Sequence, residues 1–123
     1  MKLNHLSLPV VDVRATREFL ERYFGFRCTL EREPDRFIGL TDDAGLLLTI
    51  SNLDDVSEVV YPKSFHVGFK RASDATVDNT YERLKADGFS VGERQNLHGA
   101  WTFYLTAPGG FTVEVMHQNN DVK

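Results

Sequence analysis

Apolar residues alternate with other residues in two short stretches, residues 6–10 and 64–69, and a histidine lies in or directly before each stretch. Alternation with a period of two predicts a β-strand that is buried on one face. Each stretch leads into a segment with apolar residues at helical spacing, which ends at Gly25 or Gly88, as helices commonly do. The two halves therefore repeat one order of elements about 60 residues apart, the length of a βαβββ unit.

Capping residues and turns set the bounds of the predicted elements. Asp12 is the predicted N-cap of the first helix, and Ser73 or Asp74 that of the second. Three short strands are predicted after each helix, at residues 26–31, 36–41 and 46–51, and at 89–93, 101–106 and 111–116. The apolar residues expected to face inward from the helices are Val13, Phe19, Leu20, Tyr23, Phe24, Val77, Tyr81 and Leu84. The prediction is an α+β fold of two tandem modules, about 1–52 and 63–118, joined by a linker at about 53–62 within one domain, 1–123.

Composition narrows the class of partner. The chain has 123 residues, and its 18 acidic residues outnumber 14 scattered basic ones, so the formal net charge is −4. Such a chain offers no electrostatic footprint for nucleic acid, and its longest apolar runs are too short to span a bilayer. One cysteine, Cys28, excludes an intrachain disulfide. With no basic and apolar leader segment in view, a cytoplasmic protein is expected.

Two histidines and one glutamate stand at corresponding places in the repeat. In the last predicted strand Glu114 lies between Val113 and Val115, and a carboxylate in such a segment needs a partner. Together with His5 and His66 it forms a set that can hold one divalent ion and leave coordination positions open. Taken singly, a strand histidine is more often a hydrogen-bonded core residue, and Glu114 alone can simply pair with an arginine.

Three motifs carry a family resemblance. They are Leu-Asn-His-Leu-Ser-Leu-Pro-Val-Val-Asp-Val at 3–13, Ser-Phe-His-Val at 64–67 and Ala-Pro-Gly-Gly-Phe-Thr-Val-Glu-Val at 107–115. In this order they resemble the vicinal oxygen chelate (VOC) superfamily, which includes glyoxalase I, extradiol dioxygenases, fosfomycin-resistance thiol transferases and bleomycin-resistance proteins. Ala107 replaces the aspartate of the family's Asp-Pro-Gly-Gly motif.

The resemblance implies a fold, a cofactor and a ligand set. Its paired βαβββ modules form cupped mixed β-sheets around a divalent metal, held at the positions of His5, His66 and Glu114. The metal is Fe, Mn, Ni, Co or Zn, which such a set does not distinguish. Glyoxalase I has a fourth ligand, a glutamate, where this chain aligns Thr49, and residues 46–51 contain no acid. The site is therefore similar to the two-histidine, one-carboxylate sites of extradiol dioxygenases and fosfomycin-type transferases.

Further residues are candidates for chemistry or substrate contact. Tyr104, at a position similar to a tyrosine of the family, is expected to donate to a substrate oxygen, and His98 to act as a general acid or base. His117 is expected on the opposite face from Glu114. Candidates to line the substrate site are Ser7, Thr49, Arg94, Trp101 and Thr102.

The resemblance predicts a metal-dependent enzyme that binds a small molecule through vicinal oxygens. The reaction stays open among a glyoxalase-like lyase or isomerase, a dioxygenase and a thiol transferase. The alternative is a ligand-binding protein of the bleomycin-resistance type that sequesters its ligand without turnover. Because small chains of the superfamily commonly pair, a homodimer is expected, with sites that the two chains can share.

Overall fold

The computed structural model describes residues 1–119 and shows two similar modules. Its elements are β1 (His5–Pro9), α1 (Val13–Phe24), β2 (Arg27–Glu33), β3 (Phe37–Thr41), β4 (Leu47–Ser51), β5 (His66–Lys70), α2 (Asp74–Ala86), β6 (Gln95–Leu97), β7 (Ala100–Thr106) and β8 (Thr112–Gln118). The strands form two four-stranded sheets, in the orders β1-β4-β3-β2 and β5-β8-β7-β6. In both, the first strand pairs in parallel with the last, and the other pairs are antiparallel. The predicted α+β fold of two tandem βαβββ modules is confirmed.

The chain divides into two compact units, which we call the first and the second unit. The first contains residues 1–61 together with 107–110, and the second contains 62–106 and the chain from 111 onward. The turn between β7 and β8 is thus assigned to the first unit. That residues 1–123 form one domain stays a prediction.

In the first unit α1 covers one face of its sheet. Asp12 caps the helix by accepting a hydrogen bond from the Ala15 N–H at 3.0 Å, and Gly25 ends it with a left-handed φ of 72°. Both caps agree with the sequence prediction. The core that the helix and sheet enclose consists of Leu8, Val10, Val13, Phe19, Leu20, Ile38, Leu40, Leu48 and Ile50, all at most 2% exposed.

A glycine of the 107–110 turn packs closely within the first unit. The Val11 N–H donates to the Gly109 carbonyl at 3.4 Å. A Cβ atom at Gly109 would lie 2.6 Å from Thr16 Oγ1 and 2.6 Å from a methyl group of Val10. Real Cβ atoms do not approach other atoms so closely, so this position requires glycine.

In the second unit α2 covers one face of the other sheet. Ser73 and Thr76 form a reciprocal capping box at its N-terminus. Tyr81 packs edge-on against Phe103 of β7, with ring centroids 5.3 Å apart. The enclosed core consists of Val77, Tyr81, Leu84, Phe103, Leu105, Phe111, Val113 and Val115. Alternation along β7 and β8 places the residues between these on the other face, which we call the open face.

Two sequence predictions are corrected. Residues 89–93 do not form a strand, because Val91 makes only an isolated bridge to Leu105, and the first strand after α2 is β6 instead. The Gly92 N–H also donates to the Tyr104 carbonyl at 2.8 Å, so the segment touches β7 without forming a regular ladder. Gly92 has no side chain to pack, which weakens a strand at this point. Phe24, expected inside, is only half-buried. Neither helix of the described chain is long and apolar enough to cross a membrane.

Candidate metal centre

The strand registers make the two sheets directly comparable. In each sheet the strand that begins with the histidine pairs in parallel with the last strand of its module. Two residues after the histidine, Ser7 lies opposite Thr49 in the first sheet, and Gly68 lies opposite Glu114 in the second. Thr49 therefore holds the position in the first unit that Glu114 holds in the second.

His66 and Glu114 lie together on the open face of the second unit. The His66 Nε2 atom is 3.4 Å from Glu114 Oε1, while the Nδ1 atom is 2.9 Å from the Ser64 carbonyl oxygen. Because a carbonyl oxygen only accepts, Nδ1 must carry the proton, and in a neutral ring Nε2 then presents its lone pair to the carboxylate. Two acceptors at this distance need a cation between them, either a proton or a metal ion. Metal-ligating histidines usually have this arrangement, with the distal ring N–H donated to a carbonyl or carboxylate.

Neighbouring side chains fix the Glu114 carboxylate. Thr102 is fully buried, and its hydroxyl donates to Glu114 Oε2 at 2.6 Å. The Glu114 side chain itself is 16% exposed. The hydroxyl of Thr102 thus holds one carboxylate oxygen and leaves the other facing His66. Thr102 acts on Glu114 from within the sheet, rather than lining a substrate surface as the sequence suggested.

Tyr104 lies directly opposite Glu114 in the β7–β8 register. Burial raises the pKa of the Tyr104 phenol, and the negative charge of Glu114 and a hydrogen bond to it raise that pKa further. The Tyr104 ring stands edge-on to the His66 ring, with centroids 5.8 Å apart. At neutral pH Tyr104 therefore keeps its proton and can act as a donor at this face.

The spacing of the two donor atoms fits a metal ion. Two ligands each about 2.1 Å from one ion stand about 3.0 Å apart at a right angle and about 3.4 Å apart at the tetrahedral angle. Opposite Glu114, Gly68 leaves space, since a Cβ there would lie 3.9 Å from Oε1. Within residues 1–119 no group of three or more His, Cys, Asp or Glu side chains gathers to hold an ion. The second unit thus brings together two of the three residues that were predicted as ligands.

His5 lies in the first unit among different neighbours. Its Nδ1 atom is 3.2 Å from the side-chain oxygen of Asn4, so this ring too has Nε2 free to bind. On the same face, the Ser7 and Thr49 hydroxyls bond to each other at 2.6 Å. The first unit offers His5 no carboxylate on β4, and the assignment of His5 as a ligand stays a prediction.

Two predicted substrate-lining residues lie on the helix side of the second sheet. The Trp101 indole N–H donates to Asp78 at 2.8 Å, and the Arg94 guanidinium contacts the same carboxylate at 3.1 Å. Arg94 also stacks over the Tyr81 ring at 4.1 Å. Asp78 and Tyr81 belong to α2, so these contacts hold the helix and do not face His66. Odd-numbered residues of β7 point to the helix, which explains the placement of Trp101.

The two remaining histidines lie away from the pair. His98 and Gly99 form the two-residue turn between β6 and β7, with φ values of 52° and 75°, as a type I′ turn requires. From Ala100 to Tyr104 the strand runs about 13 Å, so the structure does not bring His98 to Glu114. His98 instead borders a shallow pocket of ≈470 Å³ lined by Asn96, Leu97, His98, Gly99 and Asn119. His117 contacts Asp74 of α2 at 2.7 Å, on the face opposite to Glu114.

Sequence reasoning missed four residues around the histidines. Ser64 and Asn4 orient the two rings through local contacts that no periodicity reveals. Gly68 and Lys70 share the open face with His66. The period of two that placed His66 on this face also places them there.

Comparison with known proteins then identifies the family. The model of the Glyoxalase/Bleomycin resistance protein/Dioxygenase superfamily matches residues 2–115. The chain belongs to this superfamily. Members of the superfamily commonly use a divalent metal, in agreement with the donor pair of the second unit.

Solved structures of the superfamily share the fold. A possible glyoxalase from Bacillus cereus is 49% identical, with a TM-score of 0.85, over 94% of this chain and 98% of its own. A lactoylglutathione lyase from Agrobacterium tumefaciens is 20% identical, with a TM-score of 0.75, over 96% and 94%. An oxidase, ChaP-H2, is 21% identical, with a TM-score of 0.73, over 95% and 93%. At these lower identities the likeness shows the fold alone. None of the curated proteins matches the chain significantly.

Proposed function

We propose that the protein is a metal-dependent enzyme that binds a small molecule through vicinal oxygens at a divalent ion held by His66, Glu114 and His5. One observation carries the proposal. The Nδ1–H of His66 donates to the Ser64 carbonyl oxygen, and Nε2 lies 3.4 Å from Oε1 of Glu114. This tautomer and this spacing are typical of a metal-ligating histidine whose other ring nitrogen is held by a hydrogen bond.

The reaction class stays open within the superfamily. The 49% identical Bacillus cereus protein is described as a possible glyoxalase, which supports a glyoxalase-like lyase or isomerase. Thr49 in place of an acid argues against the four-ligand site of glyoxalase I, and so a dioxygenase or thiol transferase stays within the proposal. A divalent metal supplies Lewis acidity that polarises a coordinated substrate oxygen.

The protein's own residues then have defined tasks. The Tyr104 phenol donates a hydrogen bond or a proton to a substrate oxygen above Glu114. Thr102 holds Glu114 Oε2, so the carboxylate does not rotate away from His66. Gly68 leaves room for the substrate beside Oε1. We assign no step to His98, which lies at the far end of β7.

Elemental analysis of untagged protein purified without chelator tests the metal proposal. About one transition metal per chain is expected, and a His66→Ala variant of equal fold content should lose it. Iron would favour oxygen chemistry, and manganese, nickel, cobalt or zinc a lyase, isomerase or transferase. A wild-type protein that neither contains nor takes up metal would sink the enzyme proposal and favour a ligand-binding protein of the bleomycin-resistance type.

We also propose a homodimer in which His5 of one chain joins His66 and Glu114 of the other. Mixing His5→Ala with His66→Ala chains under subunit exchange tests this arrangement. If sites are shared, each mixed dimer has one complete site, and metal binding returns to about half of the sites in mixed dimers. If each site lies within one chain, mixing restores nothing. Light scattering must first show a dimer at micromolar concentration.

The proposed partner is a small molecule, with neither nucleic acid nor a membrane as a ligand. The acidic balance of the chain, −4, supports this. A cytoplasmic location is proposed as well, supported by the single free cysteine, Cys28.

A further inference from the structure

The open face of the second sheet carries few charges. On β5, β7 and β8 the titratable side chains of this face are those of His66, Lys70, Tyr104 and Glu114, with Gly68 between the first two. Glu114 is its acid and Lys70 its fixed cation. With a divalent ion beside Glu114, the positive charge on this face exceeds the negative charge. Such a face attracts an anionic ligand.

Lys70 lies at the other end of β5 from His66, on the same face. It is exposed, and it makes no ion pair or hydrogen bond with any residue in the described part of the chain, 1–119. In the register it pairs with Met116, two residues beyond Glu114. The long side chain of Lys70 can turn toward the Glu114 carboxylate, yet the structure shows no ion pair between these two residues. The ammonium group of Lys70 thus has no anionic partner in this part of the molecule.

Gly68 connects the two ends of this surface. It lies between His66 and Lys70, about 7 Å along the strand from each, and has no side chain to obstruct a ligand lying along the strand. A small molecule placed over Gly68 therefore reaches the metal ligands at one end and the Lys70 ammonium group at the other.

We propose that Lys70 is a specificity-determining residue that binds an anionic oxygen group of the substrate, while the substrate's vicinal oxygens lie over Gly68 beside His66 and Glu114. The inference rests on the proposed function and specifies its substrate class. That class is a small molecule with two neighbouring oxygens for chelation and a carboxylate, phosphonate or phosphate a few bonds away. An ammonium group binds each of these as a point charge.

Three hydroxamate probes with one chelating head test the inference on metal-loaded protein. Acetohydroxamate has a neutral tail, succinic acid monohydroxamate a carboxylate, and phosphonoacetohydroxamate a phosphonate. Calorimetry should give the wild type about tenfold tighter binding of one or both anionic probes than of acetohydroxamate. The stronger of the two identifies the preferred group. Lys70→Gln should lose this preference and Lys70→Arg should keep most of it.

A matched control and a separate metal titration keep the outcomes distinct. Lys85→Gln removes the same charge from α2, on the helix side of the sheet, and should leave the preference unchanged. Equal binding of all three probes by the wild type, or the same preference in Lys70→Gln, overturns the role of Lys70 while metal binding persists. Failure of the wild type to bind metal overturns the proposed function, and this inference with it.

Discussion

The two units share one scaffold but present different chemistry at corresponding positions. In the second unit Glu114 lies opposite Tyr104 on one side and Gly68 on the other. In the first unit Thr49 takes the place of Glu114, with Gly39 and Ser7 opposite it. Glu114 and Tyr104 of the second sheet thus correspond to Thr49 and Gly39 of the first.

At this position the polar side chains of the first unit hydrogen-bond to each other, whereas in the second unit two acceptor atoms face each other. The Ser7 and Thr49 hydroxyls bond to each other at 2.6 Å, and the side chains of Leu30 and Leu47 close over Gly39. In the second unit an acceptor of Glu114 faces an acceptor nitrogen of His66 and requires a cation. The backbone repeat therefore sets where side chains lie, and the residue types decide which module presents two facing acceptors.

Removal of the acid should have the largest effect. Glu114→Gln keeps the shape but takes away the anionic ligand, so metal affinity should fall by about 100-fold or more, since even groups that only orient a ligand are worth 10–100-fold. Titration calorimetry with a single metal measures this. The control is Glu93→Gln, the same change at an exposed position. Similar losses in both variants would show that metal affinity does not depend on the Glu114 position.

A glycine variant tests the packing of the first unit. Gly109→Ala places a Cβ 2.6 Å from Thr16 Oγ1, and such overpacking should lower the free energy of unfolding by about 1–3 kcal/mol. Denaturant unfolding followed by circular dichroism measures the change. Gly68→Ala is the matched variant in the second unit, where the nearest atom is 3.9 Å away, and it should unfold almost as the wild type does.

The two threonines give a matched pair of smaller changes. Thr102→Val removes the hydroxyl that donates to Glu114, which should weaken metal binding by about tenfold and cost about 1–2 kcal/mol of stability. Thr49→Val breaks only the bond to Ser7 and should cost no more than about 1 kcal/mol, with unchanged metal binding by calorimetry. The comparison fails if Thr49→Val proves the more damaging to metal affinity.

Alkaline titration should reveal the smallest difference, between one tyrosine of each unit. Burial alone raises the pKa of Tyr61, whereas burial and Glu114 together raise the pKa of Tyr104. A raised pKa favours the neutral phenol, so the stability it contributes is complete below about pH 10 and is lost as pH rises through the folded-state pKa. Glu114→Gln should lower the pKa of Tyr104 and leave that of Tyr61 unchanged, measured by phenolate absorbance in metal-free protein. A Tyr104→Phe variant assigns the signal.

Periodicity, together with capping residues, predicted the repeat, the N-cap of each helix and the side of the sheet on which Glu114 lies. It failed where local geometry overrides pattern. Residues 89–93 were predicted as a strand but make only isolated contacts with β7, and Gly92 among them has no side chain to pack. Trp101 was assigned to the substrate by residue type, although its position in β7 turns it toward α2.

Other features of the candidate site depend on contacts that no pattern encodes. The ring orientation of His66 comes from a carbonyl two residues away, at Ser64. His98 was proposed from its chemistry alone, and its placement in a left-handed turn sets it beyond reach of Glu114. Lys70 could have been found by counting in twos from His66.

The assignment of residues 107–110 to the first unit bears on how the chain acquires its structure during synthesis. Gly109 follows Thr16 by 93 residues in the sequence, so its contacts with Val10 and Thr16 cannot form until the ribosome has added that length of chain. Residues 1–61 therefore emerge with part of their packing still unmade. Contacts between residues so distant in sequence slow folding. Until residues 107–110 have been made, the space that Gly109 fills beside Val10 and Thr16 stays open.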